Sequence, residues 1–179
     1  GLRFLPITLL AFFTAPIAGK LTAYAPVRLL MGGGLAIVAL SMALMAHVTT
    51  NSHWTVLLAG FIVGGIGIGL VNPSLATTAI STVPREQAGV GSGINATFRQ
   101  VGIATGIAAL GAIFESVTGT HQQSTGAVSA AAKAAFVHGL HDILLVGAGT
   151  AAVGAVLAFA LVRPQDFVAS GPQAAAEAA

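Results

Sequence analysis

Charge is what this sequence lacks most. Only 7% of its 179 residues are Asp, Glu, Lys or Arg, against roughly 25% in an average soluble domain. A soluble fold so poor in charge would have little to cover its surface with, so that class is excluded. The 55% hydrophobic content and a mean hydropathy of +0.90 point to a membrane protein instead. Cysteine is absent, which removes a disulfide framework and thiolate chemistry. The net charge of +2 is too small to argue for nucleic acid. No basic n-region precedes the first apolar run, so it does not read as a signal peptide, and the start at Gly1 reads as a piece cut from a longer protein.

What is present is a series of long apolar runs. They predict five spans over residues 2–24, 29–46, 54–82, 88–115 and 139–162, each near the roughly 20 residues needed to cross about 30 Å of hydrocarbon. A polar loop is expected over 116–137, partly helical around 130–135, and a disordered tail over 165–179. Residues 1–164 then form one transmembrane bundle of the all-α class. Pro6 is tolerated near a helix start, whereas Pro16 should kink or end the first span. Trp54 falls at an expected interface.

The run from Gly60 to Gly111 organises the chain. Two apolar stretches meet at the polar turn Val83-Pro84-Arg85-Glu86-Gln87. The pairs Gly60/Gly64, Gly65/Gly69 and Gly102/Gly106 are each four apart, the spacing that lets helix backbones pack closely in lipid. With five spans, Lys20, Arg28, Arg85 and Arg163 fall on one side and Arg3 and Lys133 on the other. The excess of cations places the first group and the C-terminal tail in the cytoplasm.

Arg99 is the outstanding polar residue, about eleven positions past Ala88 and well within the fourth span. A charge at membrane depth is costly and marks function by default. Ser92, Asn95, Arg99, Gly102 and Gly106 follow at steps of three or four, so they share one helix face. That face is expected to look into the bundle. Arg99 reads either as a tether to a carbonyl, a carboxylate or the interface, or as a residue lining a translocation path. Gln100 is its polar neighbour. In the third span, Gly65, Gly69, Asn72 and Ala76 form a second stripe expected to face inward. Pro73 cannot donate to the Gly69 carbonyl, so the helix should bend there. The bend suits either a rocking helix or a packing kink.

Other patterns carry less. Gly65-x-Gly67-x-Gly69 lacks the strand–turn–helix setting and the acidic residue of a dinucleotide site. Asn95-Ala96-Thr97 is a glycosylation sequon placed inside a span. His138, His141 and Asp142 share a face at the outer end of the fifth span, a thin set for a metal; they read as interface residues. No nucleophilic triad or carboxylate pair stands on one face. No acid sits mid-span: Glu86 is in the inner turn, Glu115 and Asp142 at outer helix ends, Asp166 and Glu177 in the tail. A proton-carrying carboxylate therefore lies outside this sequence, or Glu115 and Asp142 serve at the outer mouth.

Three segments carry a resemblance: Gly67-Ile68-Gly69-Leu70-Val71-Asn72-Pro73, Val83-Pro84-Arg85-Glu86-Gln87-Ala88-Gly89, and the run from Gly91-Ser92-Gly93 through Phe98-Arg99-Gln100-Val101-Gly102. Together they resemble the C-terminal half of a major facilitator superfamily transporter, nearest the fourteen-helix drug:proton antiporters. Gly1-Leu2-Arg3-Phe4-Leu5-Pro6 and Ala18-Gly19-Lys20-Leu21 are similar to the same branch. The likeness covers residues 1 to about 115 well and the rest loosely. It implies that the five spans are similar to helices ten to fourteen. The Lys20–Arg28 turn departs from the family's inner-loop signature in holding no Asp.

The resulting expectation is a non-enzymatic, cofactor-free fragment of a secondary transporter in the cell membrane. It expels hydrophobic or cationic compounds in exchange for protons by alternating access. Its partners are the bilayer, a small-molecule substrate, protons and the absent N-terminal half. A metabolite exporter of the same superfamily and a non-transporting scaffold or channel subunit are the alternatives.

Overall fold

The computed structural model describes residues 4–22, 24–47, 55–118 and 130–162. They form five helices: α1 (Leu5–Leu21), α2 (Val27–Ala46), α3 (Thr55–Ser81), α4 (Ala88–Thr118) and α5 (Ala130–Leu161). A short 3-10 turn, Arg85–Gln87, joins α3 to α4. Among the described residues every element is helical, the form that satisfies backbone polar groups within lipid.

Some boundaries differ from the sequence expectation. Of the five helices, α2, α3, α4 and α5 are long and apolar enough to cross a membrane, whereas α1 has 17 residues. At 1.5 Å per residue α1 is about 26 Å long, a little under the hydrocarbon thickness. Pro16 lies inside α1 without ending it, and Pro6 sits in its first turn. The expected loop over 116–137 is shorter: α4 continues to Thr118 and α5 starts at Ala130. Alanine-rich sequence extends α5 beyond the apolar run because Ala is the best helix former. Trp54, residues 119–129 and the tail from 163 lie outside the described residues.

Glycine and serine decide how the helices meet. A Cβ on Gly67 would lie 2.9 Å from the Gly34 carbonyl oxygen, and one on Gly34 would lie 3.2 Å from the Gly67 oxygen. Backbone thus meets backbone where α2 crosses α3. One crossing further along, Ser41 Oγ donates to the Gly60 carbonyl at 2.7 Å, with Ser41 buried. On the other side of α3, a Cβ on Gly65 would lie 2.7 Å from the Ile7 oxygen and one on Gly69 3.1 Å from the Ala11 oxygen. Phe4 and Phe61 close that seam with ring centroids 5.4 Å apart. These contacts run in step along α1 and α3 and in opposite order along α2 and α3, so α1 is parallel to α3 and α2 antiparallel to it.

The far side of α2 takes α5. Phe159 lies over Gly32, and Met42 lies against Gly147. The layers therefore run α1, α3, α2, α5. α4 is attached differently. It meets α3 near the turn, where Gly91 abuts the Ala79 carbonyl, and it meets α5 at its far end through Phe114 and Phe136, 5.5 Å apart and edge-on. The apolar side chains left exposed, such as Phe12, Phe13, Ile17 and Val156, suit a lipid solvent, in which no polar coat is needed.

Candidate functional site

α4 positions the residues singled out for function. The helix has 31 residues. Arg99 lies about 17 Å along its axis from Ala88, which is near the middle of a roughly 30 Å hydrocarbon layer that begins at Ala88. Its guanidinium is exposed and makes no ion pair or hydrogen bond among the described residues. Ser92 and Gln100 are exposed as well, and Asn95 is half-buried.

The stripe's packing differs from the expectation in one respect. A Cβ on Gly102 or Gly106 would meet nothing within 4 Å, whereas every Cβ on Gly60, Gly64, Gly65 and Gly69 would clash. Of the six half-buried residues of α4, Asn95, Gly106, Leu110 and Ile113 share the stripe's face; the other two, Ala88 and Phe114, lie near the helix ends. Ser92, Arg99 and Gly102 on the same face are exposed, and no described helix packs on its middle. α4 is also the span whose most apolar window has no buried residue. Identical spacing therefore has two outcomes here, because spacing shows that a face can be approached and the tertiary arrangement decides whether anything approaches it.

The α3 stripe is corrected in the same way. Gly65 and Gly69 are buried, but Asn72 and Ala76 are exposed. The buried polar residue at this level is Ser74, which is fully enclosed and donates to the Leu70 carbonyl at 2.7 Å. Pro73 lies inside an unbroken α3. Beyond it the hydroxyls of Thr77, Thr78, Ser81 and Thr82 each donate to the carbonyl four residues back, at 2.6–2.9 Å. Such back-bonds satisfy hydroxyls in an apolar setting and favour helix bending. Sequence reasoning passed over Ser41 and this hydroxyl run. Ser41 could have been found as a lone polar residue inside an apolar span.

The remaining candidates sit at helix ends. Lys20 and Arg28 flank the α1–α2 turn, Arg85 lies in the 3-10 turn, and all three are exposed. Glu115 is exposed near the end of α4. Asp142 is half-exposed, with its Oδ1 3.6 Å from His141 Nδ1. It lies about 29 Å along α5 from Leu161, one hydrocarbon thickness away. No group of three His, Cys, Asp or Glu residues is placed to hold a metal among the described residues. The acids at this end and Arg99 do not meet.

Glycine-packed apolar helices with one mid-span cation define a multi-pass α-helical membrane protein. The profile of the Major Facilitator Superfamily matches residues 1–107, and the chain belongs to that superfamily. It is 30% identical over 167 residues to an uncharacterised MFS-type transporter, YcnB, of Bacillus subtilis, covering 92% of this chain and 34% of the relative. It is 31% identical over 166 residues to a puromycin resistance protein of Streptomyces alboniger, covering 90% of this chain and 33% of the relative. A multidrug resistance protein, Stp, of Mycobacterium tuberculosis is 30% identical over 113 residues, 63% of this chain and 21% of the relative. The chain thus spans about a third of the length of the first two relatives.

Proposed function

We propose that this chain is the C-terminal part of a proton-coupled efflux transporter for hydrophobic or cationic compounds, of the fourteen-helix drug:proton antiporter kind. α4 is the element turned towards the other two thirds of the transporter. The observation that carries this reading is α4 itself: a span-length helix with a cation near mid-depth, attached at its two ends and unpacked along its middle. An arginine facing lipid at that depth would carry an insertion penalty of about 2.5–3.5 kcal/mol. A water-filled path or an acidic partner from the absent helices removes that penalty.

In this reading Arg99, Asn95, Ser92 and Gln100 border the substrate path, and Asn72 lies beside it. α4 packs Gly102 and Gly106 against the absent half, and the two parts rock about a midplane site. Glu115 and Asp142 sit at the outer mouth as secondary proton groups. Lys20, Arg28 and Arg85 lie in cytoplasmic turns of a cell-membrane protein whose C-terminus is also cytoplasmic. Support for drug efflux comes from the relatives named for puromycin and multidrug resistance.

The test is efflux of a cationic dye from cells expressing the full-length gene. Arg99→Ala is expected to lower efflux strongly at unchanged membrane level. Arg99→Lys should rescue in part, because lysine keeps the charge and loses the planar five-donor fork. Normal efflux by Arg99→Ala would remove Arg99 from the path.

A further inference from the structure

A cavity of about 340 Å³ opens beside the α1–α2 turn, away from the α4 stripe. Its apolar wall is Ala25, Pro26 and Val27, and its polar groups are Arg28, Thr22, Thr77 and Ser81. It lies where α1 and α3 end and α2 begins, which is the depth of lipid headgroups for helices of this length. Tyr24, 89% exposed, stands on the same turn, as aromatic residues do at the membrane–water interface.

The hydrogen bonds define what the cavity can accept. Arg28 makes no ion pair or hydrogen bond among the described residues, so its donors are free for an anion. The hydroxyls are not free to donate. Thr22 Oγ1 donates to the Gly19 carbonyl at 2.6 Å, Thr77 Oγ1 to the Pro73 carbonyl at 2.9 Å and Ser81 Oγ to the Thr77 carbonyl at 2.6 Å. With their protons committed, these oxygens offer only lone pairs. A complementary ligand therefore carries an anionic group for Arg28, hydrogen-bond donors next to it for the hydroxyl oxygens, and an apolar body for the Ala25–Val27 wall. Lys20, exposed in the last turn of α1, adds positive charge at the same turn, which contains no acid.

We infer that this cavity is a binding site for an anionic phospholipid headgroup of the phosphatidylglycerol type. The phosphodiester meets the Arg28 guanidinium, the glycerol hydroxyls donate to Thr77 and Ser81, and the acyl chains leave along the apolar wall. A guanidinium suits phosphate through its fork of donors. Phosphatidylcholine has the phosphate without a neighbouring donor and without net charge. The site is independent of the α4 reading, since it requires a membrane-embedded chain and no particular substrate.

The experiment uses the purified full-length transporter in nanodiscs of equimolar phosphatidylglycerol and phosphatidylcholine, with retained lipids counted by native mass spectrometry. Phosphatidylglycerol should be enriched on the wild-type protein, and Arg28→Gln should cut the enrichment about fivefold, the equivalent of about 1 kcal/mol for one interfacial cation. Arg28→Lys should retain part of it, because lysine keeps the charge and loses the fork, and Ser81→Ala should lower it while leaving the cation in place. Arg85→Gln, which removes an exposed cation outside the cavity, should leave it unchanged. Added inorganic phosphate should not displace the lipid. Equal retention of both lipids, an equal loss on Arg85→Gln, or displacement by inorganic phosphate would each overturn the inference. The first would mean no headgroup selection, the second a diffuse surface charge and the third a simple anion site.

Discussion

At the residue scale, glycines that look alike in sequence are not equivalent. Gly67 faces fixed backbone, the Gly34 oxygen and the Val38 nitrogen, which would lie 2.9 and 3.0 Å from an added Cβ. Neither can swing aside as a side chain tip can. Gly67→Ala is therefore expected to push α2 from α3 and cost about 1–3 kcal/mol, the usual range for overpacking. Gly89→Ala, with open space around it, should be neutral or slightly stabilising through helix propensity. Thermal unfolding of the detergent-solubilised full-length protein measures both, and equal melting temperatures would contradict the close crossing. Ser41→Ala tests a buried hydrogen bond between α2 and α3. Comparable bonds in membrane bundles average about 0.6 kcal/mol, so a small loss of stability is expected, and a loss beyond about 2 kcal/mol would mean that Ser41 supports more than this contact. Arg99 was legible as a mid-span charge, because cost at membrane depth is a property of the residue and its position. Ser41 was visible only as a lone polar residue in an apolar span, because its partner lies nineteen positions away.

At the element scale, α3 joins a rigid half to a half rich in internal alternatives. Up to Gly69 it is held by glycine crossings with α1 and α2. From Pro73 onward it carries one missing backbone donor and a run of hydroxyl back-bonds. Pro73→Ala restores a donor to the Gly69 carbonyl and is expected to straighten and stiffen the helix. Turnover in a dye-efflux assay should slow while expression holds and the melting temperature rises. Unchanged turnover would leave Pro73 as a packing residue. The proline was visible in sequence, whereas Ser74, which is enclosed, was not singled out, and Asn72, expected to face inward, is exposed. Spacing put Asn72 and Ala76 on one face with Gly65 and Gly69, and burial along that face stops after Gly69.

At the scale of the whole molecule, the chain forms a layered α1–α3–α2–α5 body with α4 set along one side. The ends of α4 are about 46 Å apart for 31 residues, long enough to put Gln87 and Ser116 on opposite membrane faces. The proposed cytoplasmic position of the cation-rich turns predicts that a cysteine at Ser116 reacts with an impermeant thiol reagent on intact cells. One at Gln87 should react only after permeabilisation. Reversed labelling would invert the topology and leave the fold intact.

The sequence by itself determined the class, the approximate spans, the turn between α3 and α4, and the presence of a cation at membrane depth. Each follows from local quantities: transfer cost, run length and helical spacing. The tertiary structure decided which glycines act as crossings, that Asn72 lies open while Ser74 is enclosed, and that a cavity forms around Arg28. These depend on which helix lies beside which, and sequence spacing does not contain that information. Gly65/Gly69 and Gly102/Gly106 have the same period, and only the presence of α1 beside the first pair and of no described helix beside the second separates them.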